Sequence, residues 1–98
     1  MAKWTLLCWQ EIPSVVEAKD DGGTHKVQLS LKFQELIDMI AMRRNLAGSD
    51  AYLMEWRKED VQEREGSAHE VAEAVAAEIE ARYDTIKDEA IKKTSEDG

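Results

Sequence analysis

The last third of the chain carries the pattern that most limits its fold. Ser67 is followed three residues later by Glu70, and an apolar-periodic run begins behind them. A hydroxyl and a carboxyl at that spacing can satisfy each other's backbone N–H groups, so the run opens as a capped helix. At 100° per residue, Val71, Ala72, Val75, Ile79, Tyr83, Ile86 and Ala90 fall in a stripe about 120° wide, with Glu73, Glu80, Asp84 and Asp88 opposite. The spacing predicts one amphipathic helix over roughly 68–93, ending in a "KKTSEDG" tail. A helix apolar on one side only must lie on something else.

The rest of the chain supplies that surface. "WTLLCWQE" (4–11) alternates, with Trp4, Leu6 and Cys8 on one face and Thr5, Leu7 and Trp9 on the other, as in a strand. Pro13 lacks an N–H for a ladder, and the strand is expected to end there. "VVEAK" (15–19) and "KVQLS" (26–30) flank "DDGGTH", whose adjacent glycines tolerate positive φ and mark a hairpin. Ser30 stands where a helix over about 31–46 would be capped, with Gly48 as its stop. That helix has two apolar arcs, Phe33, Leu36, Ile37 and Ile40 against Leu31, Met39, Met42 and Leu46, so it is expected between two partners. "AYLMEW" (51–56) reads as a fourth strand, with a short helix as the competing reading. The order is β-β-β-α-β-α. It implies an α+β domain of two layers over residues 1–95, a mostly antiparallel four-stranded sheet with both helices on one face, and a disordered tail at 96–98.

Charge and composition remove several function classes. The net charge is −8; residues 1–57 hold 7 basic and 8 acidic groups, residues 58–98 hold 6 and 13. So acidic a second half repels phosphate, and neither nucleic acid nor an anionic membrane surface is an expected partner. No apolar run reaches the ~18 residues of a membrane span, and the start of the chain does not read as a secretory signal. A cytoplasmic location is the expectation. One cysteine makes no internal disulfide, and neither a His-x-x-x-His nor a Cys-x-x-Cys pairing is present, so no metal, no cofactor and no catalytic group is expected. Nothing in the spacing brings His25 or His69 to Cys8, which reads as a small hydrophobe in a strand. Glu70, Glu73 and Glu80 read as a solvated acidic face. The pair Gly22–Gly23 has no helix behind it to make a phosphate loop. Met39 and Met42 read as core against the last helix, or as an adaptable groove.

Three tryptophans are many for a domain of 98 residues. If both helices cover the Cys8 side of the sheet, Trp9 lies on the uncovered side. Trp9, Glu11, Arg43, Tyr52, Glu55, Trp56 and Arg57 are therefore expected near one protein-binding surface, the arginines pairing with carboxylates and the aromatic rings supplying area. A homodimer is compatible with the same surface.

Four motifs point further: Trp9-x-x-Ile12-Pro13, Phe33-x-x-x-Ile37-Asp38, Ala41-Met42-Arg43 and Asp50-Ala51-Tyr52-Leu53-x-Glu55-Trp56-Arg57. With "VAEAVAAEIEARYD" they resemble the small bacterial virulence-factor domain family over about residues 4–85, a family similar to the N-terminal domain of conserved virulence factor C. Position 8 is commonly aromatic in that family, so Cys8 departs from its pattern. The resemblance carries over no catalytic residue. The family name supplies neither a reaction nor a ligand, so the non-enzymatic interaction or adaptor domain expected here rests on the residues above. The alternative, through the family's association with folate-linked one-carbon metabolism, is an accessory subunit or small-ligand carrier whose aromatic rings stack a flat heterocycle.

Overall fold

The computed structural model describes residues 1–97; of the tail expected at 96–98, Gly98 lies outside the described residues. Three strands open the chain, β1 (Ala2–Trp9), β2 (Ile12–Asp20) and β3 (Gly23–Gln28), followed by α1 (Leu31–Arg43), α2 (Asp50–Met54), β4 (Trp56–Lys58), β5 (Gln62–Arg64), α3 (Ala68–Ala81) and α4 (Tyr83–Asp97). The sheet is antiparallel in the order β3-β2-β1, and both β4 and β5 pair with β1. β4 takes Leu7–Trp9 and β5 takes Ala2–Trp4. Between them Glu59 bridges the gap: its N–H donates to the Leu6 carbonyl (2.9 Å), and the Thr5 hydroxyl donates to its carbonyl (2.6 Å). The α+β, mostly antiparallel architecture is the one the pattern of elements implies.

β1 turns into β2 earlier than Pro13. Trp9 pairs with Ile12, leaving Gln10 and Glu11 as a two-residue turn, with Gln10 at φ 52°. Its N–H is satisfied by the Glu55 carbonyl (3.1 Å), which anchors a backbone conformation costing a non-glycine residue about 1 kcal/mol. Pro13 lies inside β2 opposite Cys8, next to a register shift between Leu7 and Cys8. Such irregularities are where a strand tolerates a residue that cannot donate.

Residues 51–56 correct the expected fourth strand. Asp50–Met54 forms a short helix and pairing begins only at Trp56. Tyr52 is half-buried while its neighbours Leu53 and Met54 are both exposed. Two consecutive outward side chains suit a helical turn, whereas alternation would have put Met54 inside with Tyr52.

The expected long helix is two helices. Arg82, at φ −101° and ψ 9°, ends α3, and α4 starts at Tyr83. Nothing in the local sequence marks the break; its effect is that one apolar stripe meets two partners. Val71, Ala72 and Val75 are buried on α3, which lies over β2 and β3, while Ala90 is fully buried and Tyr83, Ile86 and Ile91 pack half-buried along α4. Tyr83 meets Phe33 edge to face at 5.1 Å.

α1 is held between β2 and α4, as its two apolar arcs require. Phe33, Leu36, Ile37 and Ile40 are buried, each worth about 1.5–3 kcal/mol. The second arc is covered only in part: Met39 and Leu46 pack against the core, but Leu31 is 70% and Met42 65% exposed. Ser30 occupies the N-cap position of α1 without a side-chain bond to the helix. Its N–H and hydroxyl instead donate to the Glu80 carboxylate at 2.7 and 2.8 Å.

The capping box at Ser67 and Glu70 is formed with both of its hydrogen bonds. Ser67→Ala is expected to cost about 1 kcal/mol and to lower the thermal midpoint by roughly 4–8 °C, read by calorimetry; an unchanged midpoint would show the cap to be redundant.

Candidate functional site

Trp9 ends β1 and is fully buried. Its ring tilts against Tyr52 at 5.5 Å and its Nε1–H donates to the Tyr52 carbonyl at 2.9 Å. Tyr52 in turn meets Trp56 edge to face at 6.3 Å, and Trp56 pairs with Trp9 across the β1–β4 ladder. The three rings form a cluster running from the core outward. The expectation that Trp9 faces an uncovered sheet face is thus overturned: it belongs to the same core as Trp4 and Leu6. Alternation counted along β1 from Trp4 does not place Trp9 there; the β1–β2 ladder changes register between Leu7 and Cys8, with Ser14 of β2 left without a partner residue.

Cys8 is buried too, beside Glu59. Burial pushes its thiol up to about 12, the Glu59 charge and hydrogen bond add to that, and Arg57 opposes it. A thiol held protonated is a poor nucleophile at neutral pH.

Around the β1–β2 turn, Gln10, Glu11, Arg44, Glu55, Arg57 and Lys93 line a polar groove of about 280 Å³. Its centre is Arg44, whose side chain is only 11% exposed. The guanidinium donates to the Gln10 side-chain carbonyl and to Glu11 Oε1 at 2.9 Å, and reaches the Ala90 carbonyl at 3.3 Å and Thr94 Oγ1 at 2.9 Å. One cation therefore ties the first hairpin to α4. Burial alone would raise the Glu11 carboxyl, but hydrogen bonds from Arg44 and its own backbone, with the charges of Arg44 and Lys93, hold it below the usual carboxylate range. Of the residues expected to gather, Glu11, Glu55 and Arg57 do share this groove. Arg43 is exposed at the end of α1 and lines neither this groove nor the one below.

A second cleft, about 290 Å³ and mostly apolar, lies between α1 and α2, lined by Asp38, Ala41, Met42, Ala47, Gly48 and Tyr52. Met42 on its wall is 65% exposed, and Leu53 and Met54 beside Tyr52 are 66% and 82% exposed. The exposed Met42 answers to the adaptable groove the sequence allows, not to core against the last helix, whereas Leu53, Met54 and Arg44 are absent from the residues the sequence singles out as a site. Arg44 had a signal: it stands four residues after Ile40 and three after Ala41, on the buried side of α1. Leu53 and Met54 have none, because alternation in a strand over 51–56 would put Met54 on the same side as Tyr52.

The family model described as "Virulence factor" matches residues 7–91. No curated protein and no solved structure matches the chain.

Trp9→Ala is expected to destabilise by about 3–5 kcal/mol in denaturant titration, and a near-neutral result would contradict the burial described above. The Glu11 carboxyl sits lower in the folded chain than its ordinary value near 4.5. It therefore stabilises the fold above that value and loses the contribution as pH falls through its folded one. Asp20, lowered by hydrogen bonds from the Ala68 and Gly22 N–H groups, acts in the same direction. Glu11→Gln should flatten the dependence of thermal midpoint on pH between about 6 and 3; curves that stay parallel would remove Glu11 from the acid response.

Proposed function

Since the chain belongs to the virulence-factor family, we propose that it works as a non-enzymatic, cytoplasmic protein-interaction module that binds through the surface around α2. The observation that carries this is the exposure of Met42, Leu53 and Met54 around the Tyr52 cleft. Large apolar side chains left in water forgo about 1.5–3 kcal/mol each, and adjacent ones mark surfaces that another protein covers. Methionine suits such a surface because its unbranched thioether adapts to different shapes.

The flanking charges describe the partner's chemistry. Arg43 and Arg57 are exposed, and Arg57 has only a 3.7 Å approach to Glu59, so both guanidinium groups can take carboxylates from an incoming chain. A partner segment joining apolar side chains with acidic ones fits this rim. Trp9 serves from beneath, holding Tyr52 and with it the ridge. Cys8, the single thiol, is buried and protonated, which favours a binding role over covalent catalysis. A carrier stacking a flat heterocycle would need a concavity walled by several rings, and Tyr52 is the one aromatic on the α1–α2 cleft.

The test begins with affinity capture by the tagged chain from extract of its own source organism, then titrates the recovered partner against Leu53→Asp and Met54→Asp. Each change should weaken binding at least about tenfold while shifting the thermal midpoint by no more than about 2–4 °C, as exposed positions do. Undiminished affinity in both variants would place the binding surface elsewhere.

A further inference from the structure

We propose that His25, His69 and Glu73 form a binding site for a divalent transition-metal ion, zinc in the first instance, joining β3 to α3. The sequence separates the two histidines by more than forty residues, and tertiary pairing brings them together. His25 stands opposite Ala18 in the β2–β3 ladder, and Ala18 is fully buried in the core, so His25 is on the helix-covered side of the sheet. His69 and Glu73 are one helical turn apart on α3 and share a face.

The ligand atoms are nearly in place. His25 Nε2 and Glu73 Oε2 are 3.2 Å apart, the His25 and His69 rings are 4.6 Å apart at 63°, and one ligand atom from each of the three residues lies within 4.8 Å of the others. Zinc bonds of about 2.0–2.1 Å in a tetrahedron set ligand atoms roughly 3.3 Å apart. The His25–Glu73 pair already has that separation. The remaining closure falls to His69, whose ring is exposed and turns about its own side-chain bonds without moving the backbone.

The backbone on either side is held by other contacts, which pre-organises the donors. The Ala68 N–H donates to Asp20 Oδ2 at 2.7 Å, clamping the hairpin to the start of α3, and the capping box fixes the first turn that carries His69. The groove beside the histidines is lined by Asp20, Thr24, Ser67 and the glycine pair, with no lysine or arginine among its described residues. The N-terminal end of α3 opposes a cation; Glu73 as a ligand, with Asp20 and Glu70 close by, offsets it. Two imidazoles and one carboxylate are a donor set that favours zinc, cobalt, nickel or copper over magnesium and calcium. The open side of the groove leaves a fourth position for water.

The test uses the full, untagged chain stripped with chelator and titrated calorimetrically with zinc chloride alone. One zinc per chain is expected, with a raised thermal midpoint. His25→Ala and His69→Ala should each weaken binding at least about tenfold, with circular dichroism showing the fold retained; His69 is exposed, so its variant keeps the test interpretable if His25→Ala unfolds. Cobalt substituted for zinc should give the intense visible bands of a four-coordinate ion. No saturable binding, affinity unchanged in His69→Ala, or a cobalt spectrum that stays that of the six-coordinate aqua ion would each overturn the proposal.

Discussion

The indole of Trp9 is the contact on which the rest of this surface depends. Buried at the end of β1, it packs against Tyr52 and donates to the Tyr52 carbonyl. That donor and the ring contact, with the Gln10 N–H bonded to the Glu55 carbonyl, hold a helix of only five residues, too short to persist alone because nucleating one turn orders several residues for one hydrogen bond. With α2 held, Tyr52 is turned inward and Leu53 and Met54 outward. The exposed ridge is thus a consequence of a buried ring. A side chain expected to face a partner is instead buried and positions the exposed ones.

Arg44 plays a matching part for the charges. An acidic chain gathers its carboxylates around a few cations, and this one, almost enclosed, joins Gln10, Glu11, Ala90 and Thr94. Enclosure strengthens each of those hydrogen bonds and makes the loss of any partner costly. The acidic side of α3 is put to similar use. Glu73 meets His25, Glu78 pairs with Arg64 at 2.7 Å and Glu80 receives both donors of Ser30. A row of glutamates that reads as solvated is in part a set of tethers to β3, β5 and the start of α1.

These cases show where a sequence stops being legible. Periodicity identifies a residue's environment when the element is regular: the buried arc of α1, the β2–β3 hairpin and the capped start of α3 all lie where pattern places them. It fails where one residue breaks the period. Trp9 is buried beyond the register shift at Leu7/Cys8, and the departure of Arg82 from helical geometry divided one stripe between two partners. Among the candidate site residues, Glu11, Glu55 and Arg57 share a groove because turn and strand ends converge there, whereas Arg43 stands apart because it lies on the solvent side of α1.

By itself the sequence determined the class of fold, the capped helix, the hairpin and the acidic balance, because each depends on local backbone preference or on a count of charges. It also carried the family motifs. Only the tertiary structure decided which side chains face outward at α2, which arginine is enclosed and that His25, His69 and Glu73 meet. Those outcomes depend on contacts between residues distant in the chain, and no local period encodes them.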